Sequence, residues 1–202
     1  MNFSKKNHEH LKTNINEVSK TLRPLQIEEA NTNSQAIFNN IKSKIGMLPN
    51  LYATMGVSDK LLEGFLTFSE TIKSGEFTAK EYEAIALATS QANGCAYCLS
   101  AHTAIGKMNG FTEEETLELR TNTIEDTKLN ALVTLTNQLV TRDGHASENT
   151  IQNFLDAGYS KAAFAELIAA VALTTITNYI FHNGGFEIDF PRAENLEELL
   201  IA

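Results

Sequence analysis

The segment GCAYCLSAHTAIGK, which begins at Gly94, holds both cysteines of the chain, Cys95 and Cys98, and has His102 one helical turn further on. Two thiols three residues apart beside an imidazole admit three readings: a metal clasp, a redox-active pair, or core packing by small apolar sulfurs. On a helix, positions i, i+3 and i+7 share a face, and Cys95, Cys98 and His102 form such a set. Gly94 marks a helix start, where free backbone N–H groups favour a thiolate. A histidine four residues after Cys98 can hold or remove its proton. Glu83 lies in the preceding apolar run YEAIALA. A carboxylate there needs a partner, because burying it alone is costly. If the two helices fold back on one another, that partner is His102, which gives a nucleophile, a base and an orienting acid.

The alternatives have their own requirements. A structural zinc site takes four ligands, usually from two such pairs, whereas this chain has one pair and one well-placed His. A thioredoxin-type site needs strands around its motif, and none is predicted. Packing explains one buried Cys more readily than two thiols and a His on one stripe. No metal, flavin, haem or other cofactor is expected. The remaining candidates are weaker. His182, in NYIFHNGG, is an auxiliary candidate whose simpler role is that of a cation at a helix end. Asn178 and Tyr179 read as structural hydrogen-bonders, and Leu61, Phe65 and Phe68 as core or as walls of a thiol pocket. His8, His10 and His145 read as polar arm and loop residues.

The elements that must position the motif are helices. Ile37, Ile41 and Ile45 repeat every four residues up to Gly46, and Pro49 turns the chain into a short helix. Ser58 caps a helix whose Leu61, Leu62, Phe65, Phe68 and Ile72 read as one face. Thr78 and Glu81 have capping-box spacing, and Asn93-Gly94 breaks the helix they start. The motif helix runs from about Cys95 to Lys107 and stops at Asn109-Gly110. Thr112 caps the next, with acids in its first turn. Further helices are predicted over 126–142, over 148–157 after Ser147, and from Ser160 to about Ile180. The tail from Phe181 reads as extended, with one helical turn near its end. No alternating run is long enough for a strand, so the fold class is all-α. EAIALA at 83–88 is weakly similar to ELIAAV at 166–171, and twelve residues further on stand Cys95 and Asn178 respectively. That spacing leaves room for two weakly similar helical halves.

The stretch EYEAIALATSQANGCAYCLSAHTAIGK resembles the core of the alkyl hydroperoxidase D-type (AhpD-like) proteins of the carboxymuconolactone decarboxylase superfamily. Their pattern of a Glu, a CxxC twelve residues later and a His four residues after the second Cys falls here on Glu83, Cys95, Cys98 and His102. IFNNIKSKIGMLPNLYATMGVSDKLLEGFLTF and DAGYSKAAFAELIAAVALTTITNYIFHNGGFEIDFP resemble the longer, single-chain, peroxidase-related branch. The resemblance covers residues 25–191, leaving a polar N-terminal arm (1–24) and a C-terminal tail (192–202), with the redox motif at 83–102. It implies an AhpD-like helical bundle, homo-oligomers (dimer, trimer or hexamer), and reduction of a small-molecule hydroperoxide with an unknown thiol/disulfide reductant. By that analogy Cys98 attacks the peroxide, Cys95 resolves the sulfenic acid as a disulfide, and Glu83 and His102 relay the proton. Tyr97 stands where some peroxidase members have a second His. A phenol with a pKa near ~10 is a poor base at neutral pH, so the relay rests on His102 and Glu83. Two other functions are weighed: a lactone decarboxylase, which would not need two thiols, and a non-catalytic redox sensor, which would form the disulfide without turnover.

Bulk composition narrows the setting. The chain has 202 residues, 43% hydrophobic and 20% charged, so a buried core is expected, and its formal charge of −9 argues against nucleic acid or an anionic membrane as partner. The first twenty residues lack the apolar segment of a secretory signal. Residues 161–181 are strongly apolar but carry Glu166, and a carboxylate facing lipid costs ~3 kcal/mol, so they read as a core helix. With no export signal and one close Cys pair, a cytoplasmic protein is expected.

Overall fold

A computed structural model of the chain describes residues 22–196. Most of the arm expected over 1–24, His8 and His10, and the tail beyond residue 196 lie outside the described residues. Among those residues there are nine α-helices and no strand: α1 (Thr32–Ile45), α2 (Asn50–Met55), α3 (Asp59–Lys73), α4 (Ala79–Ala92), α5 (Ala96–Met108), α6 (Glu113–Thr121), α7 (Thr127–Thr141), α8 (Glu148–Asp156) and α9 (Lys161–Gly184). The all-α class is therefore as expected, and the chain segregates into two compact units. Among the described residues, one contains 22–64 together with Tyr179–Asp189, and the other contains Phe65–Asn178 together with 190–196.

In the first unit Asn31 caps α1 by accepting from the Ser34 N–H at 2.9 Å, and Gly46, at φ +81°, ends it. The buried Phe38 ring lies against Gly56, where a Cβ would collide with it, so the α2–α3 link needs a residue without a side chain there. The Asp189 carboxylate accepts from the Asn50 N–H at 2.7 Å at the start of α2, where a negative charge is favoured. His182 is exposed, with its ring beside those of Tyr179 and Phe181.

The second unit holds the main core. Its central element is α4, in which every residue from Glu81 to Ser90 is buried. A helix buried all round must be apolar or internally satisfied, and Ala84, Ala86 and Ala88 let neighbours approach closely. α4 packs against α5, α6 and α7. Its start is tied down by a capping box: Thr78 Oγ1 accepts from the Glu81 N–H at 3.2 Å, and Glu81 Oε2 accepts from the Thr78 N–H at 2.9 Å. The other Glu81 oxygen accepts from Tyr159 Oη at 3.0 Å and pairs with Lys128 Nζ at 3.0 Å. Burial pushes the Glu81 carboxyl up, but Thr78, Lys128 and Tyr159 outweigh it and its pKa is lowered. The Tyr159 ring stacks on Phe154 with centroids 4.3 Å apart. One buried carboxylate thus joins the starts of α4 and α7 to Tyr159, two residues before α9.

α9 buries Ala163, Leu167, Ala170, Leu173, Thr174, Thr177 and Asn178 at helical spacing. Among the described residues it is the one helix long and apolar enough to cross a membrane. Its Glu166 accepts from the Glu76 N–H at 2.7 Å and covers Gly75.

Two expectations change. The helix expected to end near Ile180 runs to Gly184, because Gly184 takes helical angles and only Gly185, at φ +56°, turns out of the helix. Phe181–Gly184 is therefore helical, not extended. The α3 stripe also divides: Leu62 and Phe65 are buried and Ile72 half-buried, whereas Leu61 and Phe68 are exposed. The buried face centres between Leu62 and Phe65, about 90° round the helix from Phe68.

Replacing Tyr159 by Phe removes one hydrogen bond from a buried carboxylate and keeps the stacking. We expect a loss of about 1.5–3 kcal/mol in urea unfolding. The loss should shrink at acid pH, because a carboxylate whose folded pKa is lowered contributes stability that disappears as pH falls through that pKa. An unchanged midpoint would show that the Glu81 network does not stabilise α4.

Candidate active site

The link between α4 and α5 explains where the thiols sit. Gly94, at φ +67°, follows the last turn of α4. The Cys95 N–H reaches back to the Ser90 carbonyl at 2.9 Å and the Gly94 N–H to that of Gln91 at 3.1 Å. This is a Schellman termination, which requires a left-handed residue where glycine stands. Cys95, its last residue, is also the N-cap of α5: its Sγ accepts from the Cys98 N–H at 3.3 Å. One residue therefore ends one helix and starts the next, and the chain reverses with no spare loop. At Gly106 the two helices touch, since a methyl group there would meet Glu83 Cβ at 3.8 Å and Leu87 Cδ1 at 3.9 Å.

This reversal returns His102 to Glu83, with His102 Nδ1 and Glu83 Oε2 2.6 Å apart. The Glu83 side chain is 4% exposed and that of His102 17%, so the contact is largely shielded from water. Burial pulls the imidazole towards neutrality. The Glu83 carboxylate, by charge and as acceptor, outweighs this and raises the His102 pKa, helped by charge on Cys98 and opposed by Lys73. A nitrogen holding its proton on Glu83 leaves Nε2 as the free end of the ring.

Cys95 is 0% and Cys98 2% exposed, and both are free thiols whose side chains hydrogen-bond each other. Their acidities separate. The Cys95 S–H donating to the Cys98 sulfur is the largest influence on Cys98. Burial opposes it, the His102 charge and the side chains of Asn178 and Thr177 add to it, and the pKa falls from 9.0 to about 7. The same S–H bond, burial and the charge on Cys98 push the Cys95 thiol up. The helix-start N–H bond thus falls on Cys95, which keeps its proton, while the charge rests on Cys98. Such a pair can carry a charged, nucleophilic sulfur beside a neutral thiol, with a proton donor at hand.

Of the other expected residues, Tyr97 is 1% exposed and packs edge-on against Phe190 with centroids 5.7 Å apart. His182 lies in the other unit and is exposed. Among the described residues no three His, Cys, Asp or Glu side chains gather as a metal site requires. Two residues that had no site role in the sequence reading do meet the thiols, and both come from α9. The Cys98 S–H points to Thr177 Oγ1 at 3.8 Å, and the fully buried Asn178 side chain favours ionisation of both sulfurs. The available signal was a run of polar residues, Thr174, Thr177 and Asn178, on the side of α9 that also carries Leu167 and Ala170.

The comparisons with known proteins bear on the fold and the family. A model of the Carboxymuconolactone decarboxylase family matches residues 59–126. A comparison with the curated proteins gave no match. Among solved structures, an uncharacterized peroxidase-related protein from Ralstonia eutropha, described as an alkylhydroperoxidase AhpD core, is 17% identical with a TM-score of 0.74, covering 83% of this chain and 93% of its own. A peroxidase-related protein from Silicibacter is 19% identical with a TM-score of 0.71, covering 83% and 92%. The debrominase Bmp8 is 22% identical with a TM-score of 0.71, covering 84% and 92%. At these identities the likeness speaks for the fold, which the three share with this chain over most of its length. The family match lies across α3 to α6, around the thiol motif, and the fold is similar to that of the alkylhydroperoxidase AhpD core structure.

Proposed function

We propose that this protein is a thiol-dependent peroxidase, a thiol–disulfide oxidoreductase that reduces a small hydroperoxide through Cys95 and Cys98. The observation that carries this reading is the 2.6 Å His102–Glu83 contact beside a pair of buried free thiols, one of which accepts the backbone N–H of the other. The fold shared with peroxidase-related structures supports it.

The steps balance as follows. The Cys98 thiolate attacks one peroxide oxygen. The S–O bond forms, the O–O bond breaks, and the leaving alkoxide takes a proton supplied through His102, giving Cys98 sulfenic acid and an alcohol. His102 can supply that proton because Glu83 raises the pKa of the imidazole. The Cys95 sulfur then attacks the Cys98 sulfur, water leaves, and a disulfide closes. An external dithiol reduces it, returning two protons and two electrons. Lactone decarboxylation gives no task to a thiol pair of unequal acidity, so the geometry favours redox chemistry. Because the debrominase shares the fold, a brominated aromatic is a second two-electron acceptor worth offering to the same thiolate. A pair that cycles through a disulfide fits a reducing compartment, the cytoplasm. The exposed Ile168 and Ile176 on α9 and Phe68 on α3 support assembly as a homo-oligomer.

Three outcomes are expected. In single-turnover peroxide consumption, Cys98→Ser is inert, whereas Cys95→Ser reacts once and stops as a sulfenic acid that a dimedone-type probe captures. Normal consumption by Cys98→Ser would reverse the roles or end the peroxidase reading. Alkylation of Cys98 by iodoacetamide should rise with pH through a midpoint near 7 and not near 9. Glu83→Gln should move that midpoint up: without the carboxylate, burial lowers the imidazole pKa, and the positive charge that favours the thiolate is weakened. A Glu83→Gln profile that overlays the wild type would remove Glu83 from the relay. In sedimentation velocity the protein should run as a dimer, trimer or hexamer, and a monomer at all concentrations would refute assembly.

A further inference from the structure

The α4–α5 reversal that carries the thiols is also held by the C-terminal segment, residues 190–194, through a closed ring of hydrogen bonds within the second unit. Ser100, on α5, is 2% exposed. Its hydroxyl proton goes to the Ala96 carbonyl at 2.8 Å, at the first residue of α5. Its lone pair takes the Ala193 N–H at 3.1 Å. The carbonyl of the next residue, Glu194, accepts from Arg120 Nη1 at 2.9 Å. Arg120, on α6, is 5% exposed, and its Nε donates to Gln91 Oε1 at 2.9 Å. Gln91 returns the ring to the motif, because its carbonyl takes the Gly94 N–H just before Cys95. At the near end of the segment, the Phe190 ring meets Tyr97 edge-on, and Tyr97 stands between the two cysteines in sequence. The segment has no helix or strand of its own through residue 194, so its backbone groups must find partners elsewhere. It finds them on two buried side chains that both lead to the thiol turn.

We propose that residues 190–194 form a brace fitted to the dithiol form of the Cys95–Cys98 pair, and that closing the disulfide loosens it. This rests on the two thiols forming a disulfide, as the peroxidase reading requires. Ser100 and Arg120 are then positioning residues, which act on the sulfurs through the backbone around them. In the dithiol form Cys95 Sγ caps α5 by accepting the Cys98 N–H at 3.3 Å. A disulfide brings the two sulfurs to about 2 Å, so Cys95 Sγ turns from that N–H towards Cys98 Sγ and the first turn of α5 readjusts. Ala96 and Tyr97, carried by that turn, are the residues that meet Ser100 and Phe190. Contacts made better in the dithiol stabilise the dithiol, and so make the disulfide easier to reduce. The brace thereby favours the step in which an external dithiol restores the protein, and oxidation in return frees the C-terminal segment.

The two positioning residues suit their places chemically. The planar guanidinium of Arg120 holds its donors at fixed angles and reaches Gln91 and Glu194 at once, which a lysine ammonium at the end of a flexible stem does not reproduce. The Ser100 hydroxyl uses its donor on α5 and its acceptor on the segment, so alanine there leaves the Ala193 N–H without its partner. Ser100→Ala thus cuts the ring between α5 and the segment, and Arg120→Lys cuts it between the segment and α4. Both leave the formal charges and the thiols in place.

The test is the thiol–disulfide equilibrium of the full-length protein in mixtures of reduced and oxidised dithiothreitol, quenched by alkylation and read at Cys95 and Cys98 by mass spectrometry. The protein disulfide takes up two electrons and two protons as dithiothreitol closes its own S–S bond. Ser100→Ala and Arg120→Lys should each shift the equilibrium constant towards the protein disulfide by about fivefold, or about 20 mV. In the wild type, amide hydrogen exchange at the peptide containing Ala193 should be faster in the disulfide form than in the dithiol form. A merely structural role would lower the melting temperatures of both redox forms alike and leave the equilibrium constants unmoved, and that result overturns the proposal. Equal exchange in the two redox forms overturns it as well. If Arg120→Lys fails to fold, Ser100→Ala decides in the same way. A wild type that forms no Cys95–Cys98 disulfide ends both the brace and the peroxidase reading. Peroxide consumption by the wild type separates the two ideas. Unmoved constants in an active peroxidase end the brace alone, whereas shifted constants in a protein that consumes no peroxide keep the brace and end the peroxidase reading.

Discussion

A carboxylate sits inside a helix that is buried on every side, and much of the second unit can be understood from that fact. Glu83 has no route to water from the middle of α4. Leaving it charged and alone would be prohibitive, so a cation or a strong donor has to be brought to it. His102 meets that need at 2.6 Å. For it to do so, α5 must fold directly back on α4 and lie close along it. The Schellman turn at Gly94 supplies the reversal, and Gly106 the close approach. The chemical and structural demands coincide, because the same contact that satisfies the acid raises the pKa of the imidazole beside the sulfurs.

The two thiols illustrate how unequal neighbours divide a shared property. Both are buried, which alone would suppress ionisation of both. The backbone N–H at the head of α5 goes to Cys95, since an N-cap side chain is the natural acceptor there. Even so, Cys95 keeps its proton, because it donates that proton to Cys98, and Cys98 also has His102 on its own helix and Asn178 across from it. A helix terminus by itself would have favoured ionisation of the other sulfur. The order of acidities is a property of the whole cluster and not of the helix end.

Most helix limits were readable because they are set by local chemistry. Thr78 with Glu81, Thr112 with Glu115, and Ser147 form caps within four residues of one another, and Gly46, Gly94 and Gly110 take positive φ where their helices stop. The alignment of Cys95, Cys98 and His102 follows from helical periodicity alone. Reading was poorer where distant contacts decide. Gly184 and Gly185 look alike in sequence, yet Gly184 stays helical with the Phe186 ring packed over it and Gly185 takes positive φ. The α3 stripe looked like one face because apolar residues outnumber the buried positions. Which of Leu61, Leu62, Phe65 and Phe68 turn inward depends on where neighbours lie.

The sequence by itself therefore determined an all-helical chain, the break at Gly94, and a Glu, two Cys and a His able to meet if the helices reverse. These depend on backbone rules that act over a few residues. The tertiary structure decided which sulfur carries the charge, and it brought Thr177 and Asn178 from a helix some eighty positions away to complete the thiol surroundings. No local rule relates α9 to α5, since only burial of shared surface and the satisfaction of buried polar groups connect residues so far apart in the chain.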